Sequence, residues 1–204
     1  MFSFKLGLKN LTRQKRRNVI TIMVIAFAFF GYLLMDSLMN GMEEISFDNI
    51  KNYDTGNIQV TYPEYWEDRE ELSLENLIYL NQDMEESIKN TDGLLGVSPE
   101  LRFKANLNNG IDEVAVLGLG ISIEQYNQVF DTQNYVVEGS MFAPDESKAV
   151  IGVKLAELMD LKVNDYITLL VRTKEDTFNT IDVEIAGLVR APNPMINNGI
   201  VFVP

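Results

Sequence analysis

The most pronounced pattern in the sequence is an apolar run near the N-terminus. From Asn18 to Met35 there are 18 consecutive residues without a charged side chain, and Val19–Leu38 comprises 20 residues. A helix rises about 1.5 Å per residue, so this run would extend about 30 Å, the thickness of the hydrocarbon core of a bilayer. The pattern therefore predicts a transmembrane helix over residues 18–38.

A cleaved signal peptide is the alternative interpretation of this run. Signal peptides have a shorter apolar core that is followed by a cleavage site with small residues. Here the run is longer, and Met35–Asn40 reads MDSLMN, which contains no such site. The sequence favours an anchor that is not cleaved.

The residues before the run predict a helix that lies in the membrane interface. Phe4, Leu8 and Leu11 recur on one helical face over residues 1–17, while basic residues gather on the opposite face, where they can meet anionic headgroups. The alternative is a basic flank without a helix of its own. The predicted interface residues are Lys5, Lys9, Arg13, Arg16 and Arg17.

Within and after the run, two further features are typical of a helix with partners. Small residues in the span permit close approach of a second helix, although they can equally face lipid. Beyond the span, a spacing of three and four residues continues and predicts a stalk helix over residues 39–54. The small residues are Ala26, Ala28 and Gly31, and the stalk residues are Leu38, Met42 and Ile45.

The remaining residues, 55–204, predict one extracytoplasmic domain of the α+β class. Residues 56–62 alternate polar and apolar side chains, which is typical of a half-buried strand. Residues 97–107 and 113–119 predict two strands around a turn, and residues 81–89 predict a short helix. Short strands and helices alternate from there to the end, without a repeat.

The charges divide at the apolar run. Six basic residues precede the first acidic residue, Asp36, whereas the remaining residues hold 11 basic and 30 acidic side chains, a formal charge of −19. A basic flank followed by an apolar span and an acidic remainder places the N-terminus in the cytoplasm and the domain outside. An acidic domain also argues against nucleic acid as a partner.

The sequence offers little chemistry. It contains no cysteine and no histidine, which excludes catalysis through either side chain and a conventional zinc site. It has no phosphate-binding loop with a Gly-Lys-Ser or Gly-Lys-Thr end, so it is not predicted to hydrolyse ATP. Asp182 and Glu184 are two residues apart on a predicted strand, so their side chains share one face. A face exposed to solvent accounts for both carboxylates without a catalytic role. We therefore predict no enzyme activity, no catalytic or metal-binding residue and no cofactor in this chain.

Three blocks of sequence resemble the permease subunits of MacB/LolC/LolE/FtsX-type ABC transporters. Leu6–Arg17 with the following span is similar to that family's elbow helix and first transmembrane helix. Thr55–Asp68 resembles its "GHIQ" segment, with Asn57 where histidine is usual. Val136–Thr173 is similar to its "EGR…IG…LA..L…GD…L" run, with Asn164 where that pattern prefers glycine.

The resemblance implies a longer permease with further transmembrane helices, so residues 55–204 are expected to be a MacB-like core domain that is incomplete at its C-terminal side. It implies a cytoplasmic ABC ATPase subunit as partner, a second permease copy or paralogue in a dimer, and insertion in the lipid bilayer of the inner membrane. The implied function couples ATP hydrolysis by the partner to movement of the outer domain, which extrudes or releases lipoprotein or another lipophilic substrate. The alternative is a single-pass anchored ectodomain that binds or senses a ligand without transport.

Overall fold

The long apolar stretch forms one continuous helix, α1, which runs from Lys15 to Tyr53. The computed structural model describes residues 14–67, 69–72, 74–175 and 177–204. The 39 residues of α1 extend roughly 58 Å, which is longer than a bilayer's hydrocarbon core is thick. Within the described ranges, α1 is the one helix that is long and apolar enough to cross a membrane.

The boundary between two compact units falls inside α1. Residues up to Asp48 belong to the first unit, and residues from Asn49 to Pro204 belong to the second. None of the side chains of α1 is buried within this chain. The apolar surface of the first unit is thus open along its described length, as a membrane-spanning helix requires.

The second unit combines short helices with one sheet, which confirms the predicted α+β class. The helices are α2 (Pro63–Glu67), α3 (Gln82–Lys89), α4 (Ile123–Val129), α5 (Val153–Leu158) and α6 (Pro194–Gly199), with a 3-10 turn at Thr132–Tyr135. The strands are β1 (Glu100–Asn108), β2 (Glu113–Ile121), β3 (Val136–Gly139), β4 (Lys148–Gly152), β5 (Tyr166–Arg172), β6 (Phe178–Val189) and β7 (Ile200–Val203).

Strand β6 is long enough to connect the two ends of the sheet. Its first half pairs antiparallel with β5, and its second half pairs parallel with β4. The strand order β3-β6-β4-β7-β2-β1-β5 therefore closes into a circuit of six strands, with β3 added outside on β6. In this circuit β7 lies between β4 and β2, although it comes after both in the chain.

Two hydrophobic cores lie on the two faces of this circuit. The first core receives side chains from all six strands, among them Leu107, Ile151 and Leu169, and α5 packs against it, as expected for the interior of a closed sheet. The second core lies on the outer face, where α4 and α6 bring Tyr126 and Ile196 against neighbouring strands. Full burial of each large apolar side chain contributes about 1.5–3 kcal/mol.

One glycine in β2 makes room for an aromatic ring of the first core. Gly118 is directly opposite Phe103 of β1. A Cβ atom at Gly118 would lie 2.2 Å from the Phe103 ring, which is far inside van der Waals contact. The strand thus carries glycine at this position because the ring of Phe103 occupies the space of a side chain.

The strand predicted at residues 56–62 is wrong. These residues take no part in the sheet, and Ile58 and Val60 are 83% and 67% exposed. The alternation is present, but a strand also needs a neighbour with which it exchanges backbone hydrogen bonds, and none of the described residues supplies one.

Two short helices have no counterpart among the elements predicted from the sequence. One is α2, in which Trp66 is half exposed beneath the Arg69 guanidinium, 4.8 Å from the ring centroid. Helix α6 was not predicted; Asn193 caps it by accepting a hydrogen bond from the Met195 amide, and Pro194 occupies its first turn.

Candidate functional site at the end of the long helix

Carboxylates in the sheet do not form a chemical site. Asp182 accepts a hydrogen bond from the Thr168 hydroxyl at 2.6 Å, and Glu184 accepts one from the Tyr166 hydroxyl at 3.2 Å. Both are cross-strand pairs between β6 and β5, which is what a solvated strand face provides. Within the described ranges, no group of three or more acidic side chains is arranged to hold a metal ion.

A more specific arrangement surrounds the last turn of α1. The amides of Asp54 and Thr55 both donate to the Ile50 carbonyl at 3.0 Å, which closes the helix. Gly56 then has a φ of 65°, in the left-handed region, and turns the chain away from the helix axis. All of these residues belong to the second unit.

Arg102 of β1 fastens this helix end to the sheet. Its Nη1 donates to Asp54 Oδ1 at 2.6 Å, and its Nη2 donates to the backbone carbonyl of Asp54. On the other side, Nη2 and Nε donate to Glu100 Oε2 at 3.1 Å and 3.3 Å. The planar guanidinium suits this geometry because its donors form a rigid fork.

This ion network is more buried than an ordinary surface pair. The side chains of Arg102 and Glu100 are 20% and 14% exposed, whereas Asp54 is 40% exposed. Burial alone would lower the pKa of Arg102, but Glu100 and Asp54 outweigh it and raise that pKa. Burial raises the pKa of Glu100, and the opposing charge of Arg102 does not fully offset this. The guanidinium is therefore always charged, and its charge favours the ionised form of Glu100, which burial disfavours.

A second attachment lies beside the first. The Tyr53 ring meets the Tyr135 ring edge-on, with centroids 5.6 Å apart, and Tyr53 packs against the second core. Burial raises the pKa of the Tyr53 phenol, so it stays neutral. The Tyr135 carbonyl accepts a hydrogen bond from the Arg190 amide, which ties this contact to the end of β6. We call Tyr53, Asp54, Glu100, Arg102 and Tyr135 the helix-end joint.

A cavity of about 180 Å³ adjoins the helix-end joint. Its walls are mostly apolar and come from the last turn of α1 and from β1, β2, α6 and β7. The lining residues include Ile50, Tyr53, Arg102, Leu117, Leu119 and Met195. The helix-end joint therefore borders a mostly apolar cavity on one side.

The site residues predicted from sequence lie elsewhere. Lys5, Lys9 and Arg13 fall outside the described residues, and Arg16 and Arg17 are exposed at the start of α1. Ala26, Ala28 and Gly31 are exposed within the span, and so are Leu38, Met42 and Ile45 of the stalk. Their predicted roles with lipid or with other helices remain predictions.

Sequence reasoning did not find the helix-end joint. The sequence places Asp54 at the end of the predicted stalk helix, and no motif marks Glu100 or Arg102. A Glu-x-Arg sequence on a strand does place both side chains on one face. The partner, however, lies 48 residues earlier in the chain, and no local pattern encodes that contact.

Comparison with known proteins identifies relatives. The family described as the MacB-like periplasmic core domain matches residues 19–204. The lipoprotein-releasing system transmembrane protein LolE of Haemophilus influenzae is 31% identical over 91 residues, which make up 44% of this chain and 22% of that protein. The match therefore covers less than a quarter of the relative's length.

Among solved structures, the extracellular domain of the noncanonic ABC-type transporter YknZ from Gram-positive bacteria is similar. It matches with a TM-score of 0.46 at 15% identity, over 61% of this chain and 62% of that chain.

Proposed function

The chain belongs to the family of MacB-like periplasmic core domains, and from that membership we propose that it is a permease subunit of an ABC transporter. The match supports the resemblance to MacB/LolC/LolE/FtsX-type permeases that the sequence blocks indicate. In this proposal a separate cytoplasmic ATPase hydrolyses ATP. The outer domain moves in response and extrudes or releases a lipoprotein or another lipophilic substrate.

The observation that carries the proposal is a helix without a break. α1 continues from the basic residues at its start, through the apolar span, to Tyr53, and the helix-end joint holds its end on the sheet. In this proposal, displacement of the membrane portion reaches the outer domain along this helix. Mechanical coupling also fits the described part of the chain, in which Asp182 and Glu184 form ordinary cross-strand pairs and no group of acidic side chains is arranged to hold a metal ion.

The charge distribution supports an orientation with the N-terminus in the cytoplasm. Arg16 and Arg17 precede the span, and the acidic residues follow it. The domain would then face the outside of the inner membrane. The proposed partners are the ATPase subunit, a second permease copy or paralogue, and the bilayer itself.

The proposal is tested by purification of the natural full-length gene product that contains these residues. The tagged protein is extracted from membranes in mild detergent, and the expected result is a co-purifying subunit with a phosphate-binding loop and ATP hydrolysis. A preparation from cells with the untagged gene serves as the control. Recovery of the tagged protein without such a subunit and without ATP hydrolysis would overturn the proposal in favour of an anchored ectodomain that binds or senses.

A further inference from the structure

We infer that Arg102 is the positioning residue that makes the end of α1 move together with the sheet. The inference rests on the proposed coupling function and deepens it, because it assigns the transmission of movement to one side chain. Arg102 uses all three of its side-chain nitrogens in the helix-end joint. It binds the backbone carbonyl of Asp54 as well as its carboxylate, so it holds the main chain at the helix end and not only a mobile side chain.

The covalent path from α1 to the sheet transmits displacement poorly. After Gly56, residues 57–62 form neither a helix nor a strand, and β1 begins only at Glu100. In the described part of the intervening chain, α2 and α3 are short, and neither contains a buried residue. The contact of Arg102 with Asp54 bypasses this whole segment, since it joins residues 48 positions apart.

Strand β1 is well placed to distribute a displacement. It pairs along its whole length with β2 and, over its second half, with β5, and both neighbours belong to the closed circuit. A displacement of Arg102 therefore acts directly on β2, which pairs with β1 at this residue, and reaches β5 through residues 105–108. The Tyr53–Tyr135 contact supplies a second attachment, and two attachments restrict rotation of the helix end where one would act as a pivot.

Glu100 orients the guanidinium for this task. Glu100 Oε2 accepts hydrogen bonds from Nε and Nη2 of Arg102. Nη1 and Nη2 donate to Asp54. A lysine at this position keeps the positive charge beside Glu100 but has a single nitrogen and no fork. Arg102→Lys therefore keeps the charge that balances Glu100 but removes the fork that positions Asp54, so it tests the two roles separately.

The test measures distances between spin labels in the whole chain, inserted in lipid nanodiscs. Because the chain contains no cysteine, a pair of introduced cysteines carries the labels without background. Lys51→Cys with Thr180→Cys reports on the helix end relative to the sheet, and Ala115→Cys with Thr180→Cys reports on the sheet alone. All three positions are exposed.

The expected result is a single narrow distance for both label pairs with Arg102 intact. In Arg102→Lys and in Arg102→Met, the Lys51–Thr180 distance is expected to lose its narrow distribution while the Ala115–Thr180 distance keeps it. Lys104→Met, an exposed cation on the same strand, is the matched control and should change neither distance.

Three outcomes would overturn the inference. A narrow Lys51–Thr180 distance in Arg102→Lys shows that the fork is not needed, and equal broadening of both pairs in that variant shows a role in folding only. Broadening in Lys104→Met shows that the effect is not specific to the joint. None of these measurements involves the ATPase, so failure of the inference and failure of the proposed function are distinguishable.

Discussion

Arg102→Met is expected to destabilise the second unit through the helix-end joint. Methionine retains an unbranched apolar stem but removes the charge and every donor. Glu100 would then lie 14% exposed without its cation, and Asp54 would lose its bonds to β1. Removing one partner of a buried pair costs about 3–5 kcal/mol. Since Asp54 is 40% exposed and regains water, we expect about 2–3 kcal/mol, or a fall in Tm of roughly 4–12 °C.

The pH dependence of this loss follows from the pKa of Glu100. Burial raises that pKa, and without Arg102 the pKa rises further because the lowering influence of the cation is gone. A group whose pKa is raised on folding contributes stability at low pH and loses it as the pH increases through the folded pKa. The difference in Tm between Arg102→Met and the unaltered chain should therefore shrink as the pH falls from neutrality towards the pKa of Glu100.

Thermal unfolding of the whole chain in detergent micelles checks both statements. The near-ultraviolet circular dichroism reports mainly on the second unit, which holds seven of the eight tyrosines, whereas α1 is expected to stay helical in the micelle. Lys104→Met is the matched control, and Glu100→Gln added to Arg102→Met should recover part of the lost Tm because it removes the unpaired carboxylate. The reasoning is refuted if Arg102→Met and Lys104→Met have the same Tm, or if their difference grows at lower pH.

Three further changes test other parts of the chain. Ala26→Arg places a charge in the middle of the span, which costs about 2.5–3.5 kcal/mol of insertion free energy and should prevent stable insertion. Ala26→Leu is the control and should insert normally. Normal membrane fractionation of the arginine variant would contradict the assignment of the span. Gly118→Ala forces the Phe103 ring aside and should lower the free energy of unfolding, measured with urea, by about 1–3 kcal/mol. An unchanged urea midpoint would show that the ring has room to move. Leu107→Ala should cost about 2–5 kcal/mol because Leu107 is fully buried, while the exposed Leu158→Ala should cost little, and similar values for both would refute the core assignment.

Much of the fold was predictable because its signals are local. The β1–β2 hairpin follows from two apolar runs around Asn108–Gly110, and α3 from its spacing and from Asn81, whose side chain caps it. The missed helix α6 also carried a local signal, since Asn193 and Pro194 are a favourable cap and first residue.

The remaining features depend on contacts that no local pattern encodes. Residues 56–62 have the alternating polar and apolar side chains of a strand. A strand forms only if a second strand pairs with it through backbone hydrogen bonds, and a local pattern does not show whether that second strand is present. The helix-end joint likewise depends on Arg102 and Asp54 meeting across 48 positions. Closure of the sheet depends on β6 pairing with two strands, and its length was the only hint of this in the sequence.

The position of β7 has a consequence for how the protein matures. The circuit cannot close before residues 200–203 insert between β2 and β4, and β6 has to be present to join β5 to β4. Until then, β2 and β4 each have an edge without its final partner. Such non-local pairing folds slowly, and open edges promote aggregation. In the proposed orientation, we therefore expect the circuit of strands to form only after residues 200–203 have reached the outer side of the membrane.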